Sequence, residues 1–207
     1  MAEVEVGLGK SGRRAYGFDD IAIVPSRRTR DPEDVEIKWE IDAFSLELPL
    51  MASAMDGVVS PQTAIEIGRL GGVGVLNLEG LWTRYEDPMN MLKEISQLDA
   101  EHATRRMQEI YLEPVKPELI SERIKEINAA GVISCASVTP QHTELFSSHL
   151  LESELDLLVI QGTVVTAEHV SKTKKPLNLK TFVRDFPIPT IVGGCASYEA
   201  APHLMRT

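Results

Sequence analysis

Cysteine is scarce in this chain, with only Cys135 and Cys195, far apart and without a second thiol near either. That excludes a CxxC redox pair and a cysteine-rich zinc site, and it fits a reduced, intracellular setting. Long apolar runs are missing as well: none approaches the ~20 residues a membrane span needs. The opening MAEVEVGLGKSGRRAYGF has no apolar stretch after its charges, so Arg13-Arg14 does not read as a twin-arginine export signal. We read the chain as cytoplasmic. Positive charge is in deficit, 21 Lys and Arg against 31 Asp and Glu for a net charge of −10. Such a molecule is repelled by phosphate backbones and anionic lipid. The basic clusters Arg27-Arg28-Thr29-Arg30 and Lys172 to Lys175 lack interleaved aromatics and read as solvated loops. No GxxxxGK[ST] loop occurs.

What is present is an ordinary globular composition, 43% hydrophobic and 25% charged over 207 residues. Phe18 to Arg27 ends in Val24-Pro25 and reads as an extended leader, because the residue before proline is pushed out of the helical region. Five short apolar runs follow, within Leu46 to Ser53, Val73 to Leu76, Val132 to Val138, Asp156 to Gln161 and Thr190 to Gly194. Helical patterns come after them, at PQTAIEIGRL, Glu118 to Ala130, Pro140 to about Ser153, Ala167 to Ser171, Leu179 to Asp185 and Tyr198 to Arg206. Ser60-Pro61 supplies the cap and first position of the first helix, and Gly71-Gly72 ends it. From Leu78 to Pro117 lies a charged, weakly helical excursion punctuated by prolines. Repeated βα units with near-continuous apolar strands imply a parallel α/β sheet covered by helices, either doubly wound or closed into a barrel. The Rossmann option is the weaker, since Gly71-Gly72-Val73-Gly74 precedes a strand and Asn77 stands where a third glycine would be.

In either closure, ligands collect beyond the carboxyl ends of the strands. The residues there are Ser53, Met55 and Asp56; Asn77 and Glu79; Ser137 and Thr139; Gln161 and Thr163; Cys195 and Ser197. The set is polar and mostly uncharged, which suits a neutral heterocycle or a sugar better than a metal. Such residues also make βα turns and caps, and that reading stands beside the functional one. The five histidines, at 102, 142, 149, 169 and 203, read as surface or packed side chains. Cys195 sits beside Gly193-Gly194 with no histidine near it in sequence, so a small packed thiol is a better reading than a nucleophile.

YGFDDIAIVPSRRTR followed by LPLMASAMDGVVSPQTAIEIGRLGGVGVLN resembles the opening of the IMP dehydrogenase/GMP reductase family, with its "FDDVLLVP" leader, "SAMDTVT" turn and "GGxGxxH" strand. DLLVIQG and TIVGGCASYEAAPHLM resemble that family's fourth and fifth strand ends. The resemblance implies a (β/α)₈ TIM barrel, here its first five βα units in residues 46–207 behind a leader over 1–45. It implies a purine mononucleotide, IMP or GMP, exchanging hydride with NAD or NADP, and a homo-oligomer, a tetramer when the barrel is complete. The excursion is too short for the paired CBS domains that IMP dehydrogenases insert there. The chain therefore resembles the shorter, CBS-free IMP dehydrogenase-like subgroup or a GMP reductase. Ser53 and Met55 stand where the family contacts the nucleotide, and Cys195 replaces a family asparagine near it. Gln161 replaces an aspartate that contacts the dinucleotide ribose, with Thr163 beside it. Asn77-Leu78 replaces a His-Lys pair. The family's reactive cysteine lies after the sixth strand, so no catalytic residue is expected before Thr207. A longer gene, a second chain completing the barrel, or a noncatalytic remnant each accommodate that expectation.

Overall fold

The computed structural model describes residues 3–14, 16–25, 27–162, 176–195, 198 and 200–206. They fall into two compact units, residues 1–36 and 37–207. In the first, β1 (Glu3–Gly7) and β2 (Lys10–Arg13) form an antiparallel hairpin. The chain reverses at Leu8-Gly9, where Gly9 takes the left-handed conformation at φ 66°. The alternation Glu3-Val4-Glu5-Val6 ahead of a glycine is a hairpin signal the sequence reading passed over. The leader that follows keeps Ile21, Ile23 and Val24 exposed.

The second unit opens with another hairpin, β3 (Trp39–Ile41) and β4 (Phe44–Leu46). There follow β5 (Met51–Ala52), α1 (Pro61–Arg69), β6 (Val73–Asn77), α2 (Met89–Ser96), α3 (Ala100–Ile110) and α4 (Pro117–Ala129). Then come β7 (Cys135–Val138), α5 (Thr143–Glu152), β8 (Leu157–Gln161), α6 (Leu179–Asp185), β9 (Thr190–Gly193) and α7 (Ala200–Met205). Strands β5 to β9 make one sheet in chain order, every neighbouring pair parallel. It is the curled, helix-covered sheet of a partial TIM barrel, α/β in class. The expected strands are all present, four of them shorter than the apolar runs that announced them and β6 one residue longer. The excursion differs more, holding two full, amphipathic helices of 8 and 11 residues in a stretch whose prolines suggest only weak helix. The helix expected at 167–171 and the lysine loop lie outside the described residues.

Alternation along the strands sorts their side chains into two layers. Leu76, Ala136, Val138, Leu158 and Ile160 point toward α1, α4 and α5 and join Ala64, Ile120, Ile124, Ile127, Phe146 and Leu150 in the larger core. Val73, Val75, Cys135 and Leu157 point the other way, into a second cluster with Leu46, Trp39, Ile41 and Phe44 of the β3–β4 hairpin. Residues 39–45, expected to belong to the leader, thus pack together with Leu46 on the inner face of the sheet. Helix α1 is capped as expected: Ser60 Oγ accepts from the Thr63 amide at 3.0 Å and Thr63 Oγ1 from the Ser60 amide at 2.6 Å. Gly71, at φ 91°, turns the chain back into β6. Among the described residues, no helix is long and apolar enough to cross a membrane.

Helix α1 approaches β6 so closely that a Cβ on Gly74 would lie 2.6 Å from Ala64 Cα. Gly74→Ala should therefore force helix and strand apart and cost about 1–3 kcal/mol in urea unfolding, the scale of overpacking a filled core. An unchanged midpoint would mean that this contact is loose.

Candidate active site

The inner face of the sheet changes character toward the carboxyl ends of its strands. Val75 pairs in register with Cys135, and Cys135 with Leu157, in an apolar layer. Two residues further along, Asn77 pairs with Ser137 and Ser137 with Val159, and two beyond that Gln161 pairs with Gly193, so polar groups enter toward the strand ends. A packed floor below a polar mouth is the arrangement in which barrels hold ligands.

Beyond β5 the chain enters a turn in which Ser53 and Met55 are both exposed. Asp56, next in sequence, points away into the loop that follows β6. Its Oδ2 accepts from the Leu81 amide at 2.9 Å and from the Tyr111 hydroxyl, and its main-chain oxygen accepts from Trp82 Nε1 at 3.3 Å. Oδ1 is shielded from solvent without a partner and is so close to Gly80 that no side chain fits there. The same loop reaches the next strand. Glu79 Oε1 accepts from the Thr139 amide at 2.6 Å, and Oε2 lies 2.8 Å from His142 Nδ1 at the start of α5. Arg84 donates to the main-chain oxygens of Glu79 and Glu113, and Arg123 of α4 to those of Trp82, Tyr85 and Glu86. One loop, residues 77–87, is therefore tied to the strand ends on either side of it.

Gln161 is exposed at the end of β8, and Cys195 is exposed just beyond β9. Thr163 lies outside the described residues, as does Ser197. Ser53, Met55, Gln161 and Cys195 thus all lie at one end of the sheet, although the carboxylates near them serve the loops rather than open space. His142, expected to be a surface or packed residue, is partly exposed and packs tilted against Phe146, and it is also joined to Glu79. The spacing of Thr139 and His142, one helical turn apart at a strand end, was the available signal. Tyr111 gave none, since its partner is fifty-five positions away. An open cavity of about 370 Å³ lies between the starts of α4 and α5, lined by Glu79, Arg84, His142, Phe146, His149 and neighbouring apolar residues. Among the described residues, no three His, Cys, Asp or Glu are grouped to hold a metal ion.

The IMP dehydrogenase / GMP reductase domain model matches residues 15–207. The chain belongs to that family. The chain is 42% identical over 209 aligned residues to an uncharacterized oxidoreductase of Mycolicibacterium smegmatis, covering 99% of this chain and 56% of that protein. A counterpart from Mycobacterium tuberculosis is 44% identical with the same coverage. The crystal structure of an IMP dehydrogenase/GMP reductase-like protein from Corynebacterium glutamicum superposes with a TM-score of 0.90 at 41% identity, over 99% of this chain and 55% of that one. The chain thus spans about half the length of these relatives.

The two cysteines should behave oppositely toward thiol reagents. Cys135 is buried, and desolvation, with Asp156 nearby, pushes its thiol up to about 12. At pH 8 roughly one in ten thousand of such thiols is the reactive thiolate. Iodoacetamide should therefore alkylate exposed Cys195 in the folded chain and reach Cys135 only in denaturant, as peptide mass mapping would record. Equal labelling of both would contradict the packing of β7.

Proposed function

We propose that this chain forms the nucleotide-receiving part of a cytoplasmic purine nucleotide oxidoreductase, IMP dehydrogenase-like, passing hydride between the purine C2 position and NAD(P). The observation that supports it is the exposed Ser53–Met55 turn at the mouth of the sheet, in a family named for IMP and GMP chemistry. Ser53 is spared capping duty because Ser60 caps α1. Its hydroxyl can both donate to and accept from a nucleotide, and the Met55 side chain offers an apolar surface to a flat base. Cys195, at the mouth beyond β9, would touch the same ligand. It is not assigned the nucleophile, and buried Cys135 with its raised pKa is unsuited to that role.

The residues present fit a nicotinamide dinucleotide in one respect: the exposed Gln161 carboxamide offers both a donor and an acceptor, the complement of a ribose hydroxyl. Thr163 is proposed beside it. When bound, the dinucleotide supplies the site for the hydride, and the residues of this chain bind and orient. In the dehydrogenase direction the oxygen of water replaces the hydrogen lost from C2; in the reductase direction GMP loses ammonia as C2 gains hydride. A covalent purine adduct on a cysteine contributed from outside residues 1–207, and assembly into a homotetramer, belong to the same proposal. The competing reading is a noncatalytic chain that binds nucleotide or a partner.

On the full-length gene product, Ser53→Ala should weaken IMP or GMP binding by roughly 1–3 kcal/mol, the scale of a lost buried hydrogen bond, with little change in stability. Titration calorimetry measures it, and unchanged affinity with lost thermal stability would return Ser53 to a structural role. Formation of reduced dinucleotide from IMP, or its consumption with GMP, separates the enzyme from the noncatalytic reading.

A further inference from the structure

Helices α2 and α3 form an arm with little hold on the rest of the chain. Ile110 is the one fully buried residue in either helix, and Leu92 packs at the edge of the core. Arg106 of α3 reaches Glu94 of α2 at 2.9 Å, so the two helices are joined mainly to each other. The end of α3 is different. Tyr85 donates its hydroxyl to the Ile110 carbonyl at 2.9 Å, and Tyr111 donates to the Asp56 carboxylate while its ring lies 5.4 Å from the Arg84 guanidinium. Burial first, and the carboxylate second, raise the Tyr111 pKa above its usual value, so the hydroxyl keeps its proton.

Asp56 directly follows Met55, and its neighbours in the turn have few anchors of their own, with Ser53, Met55, Gly57 and Val58 all exposed. Within the turn the Met55 amide donates to the Ser53 carbonyl, and the Val58 and Val59 amides donate to the Met55 carbonyl. Those bonds shape the turn without fixing it to the sheet mouth. Val59 anchors the far end of the turn in the core, and at its centre Asp56 supplies the fixation: Oδ2 takes both the Leu81 amide and the Tyr111 hydroxyl, and the main-chain oxygen takes the Trp82 indole N–H. Removing the hydroxyl leaves a single side-chain hydrogen bond to hold the carboxylate.

We propose that Tyr111 is a positioning residue for the mononucleotide site, acting through Asp56 to hold the Ser53–Met55 turn in its receiving conformation. This rests on the function proposed above. The α2–α3 arm then belongs to the support of the substrate turn, linked to it at the arm's carboxyl end.

Tyr85 provides the control, because its hydroxyl secures the same end of α3 without touching Asp56. In titrations of the full-length gene product with IMP, Tyr111→Phe should raise Kd about tenfold, the loss of one hydrogen bond to a charged group. Tyr85→Phe should leave Kd within about twofold, whatever it does to the thermal midpoint. Equal effects of the two variants would reduce Tyr111 to a tether of the arm and overturn the proposal, as would an unchanged Kd in Tyr111→Phe. Asp56→Asn, which keeps the shape of the side chain, gives a second reading: a several-fold rise in Kd is expected, and wild-type affinity would overturn the link. Failure of the wild-type protein to bind either IMP or GMP would instead overturn the functional reading on which the proposal rests.

Discussion

Two carboxylates, Asp56 and Glu79, bear the main constraint at the mouth of this sheet. A parallel sheet ends in loops with no ladder of their own, and each loop that must hold a shape needs partners for its amides. Here the loop after β6 both gives and receives. It donates the Leu81 amide to Asp56 on the preceding side, and lends Glu79 to the Thr139 amide on the following side. Three consecutive strand ends are thereby linked through side chains that a metal or a general base would otherwise claim. Arg123 and Arg84 complete the arrangement by taking up the carbonyls of the same loop.

Beneath that mouth, the two faces of the sheet do separate work. The outer face is apolar apart from Thr190 and carries the larger core against α1, α4 and α5. The inner face is apolar only toward its amino end, where the β3–β4 hairpin packs on it, and turns polar at Asn77, Ser137 and Gln161. The family to which the chain belongs works on mononucleotides, and a polar inner rim above an apolar floor is suited to an uncharged base and sugar.

The sheet was legible in the sequence because its strands are short apolar runs closed by glycine or proline. Ser60-Pro61 and Gly71 marked the ends of α1 for reasons the structure repeats. The first hairpin does carry a signal, Val4 and Val6 alternating with acidic residues ahead of a glycine, whereas β3–β4 turns at Asp42, held at φ 51° without a glycine, and offers none. Helices α2 and α3 are amphipathic, but Pro88, Pro114 and Pro117, which punctuate their stretch, obscured them. At the site, the position of Asp56 and Glu79 at strand ends was evident, but their partners were not. Tyr111, His142 and Leu81 come from other elements, and pairings across long sequence separations leave no local pattern. The family resemblance, carried by the Ser53-Ala54-Met55-Asp56-Gly57 turn and its leader, reached further than periodicity because it rests on residue identity.

Carboxylates from neighbouring strand ends hold the mouth of the sheet rigid. Native-state hydrogen exchange at the Leu81 and Thr139 amides, the donors to Asp56 and Glu79, tests that rigidity most directly. The account predicts protection of both amides by a factor of roughly a thousand or more over an unfolded chain, approaching that of the core strands. Exchange of either amide within about tenfold of the unfolded rate would contradict it, and would mean that the loop after β6 is not fixed by these contacts.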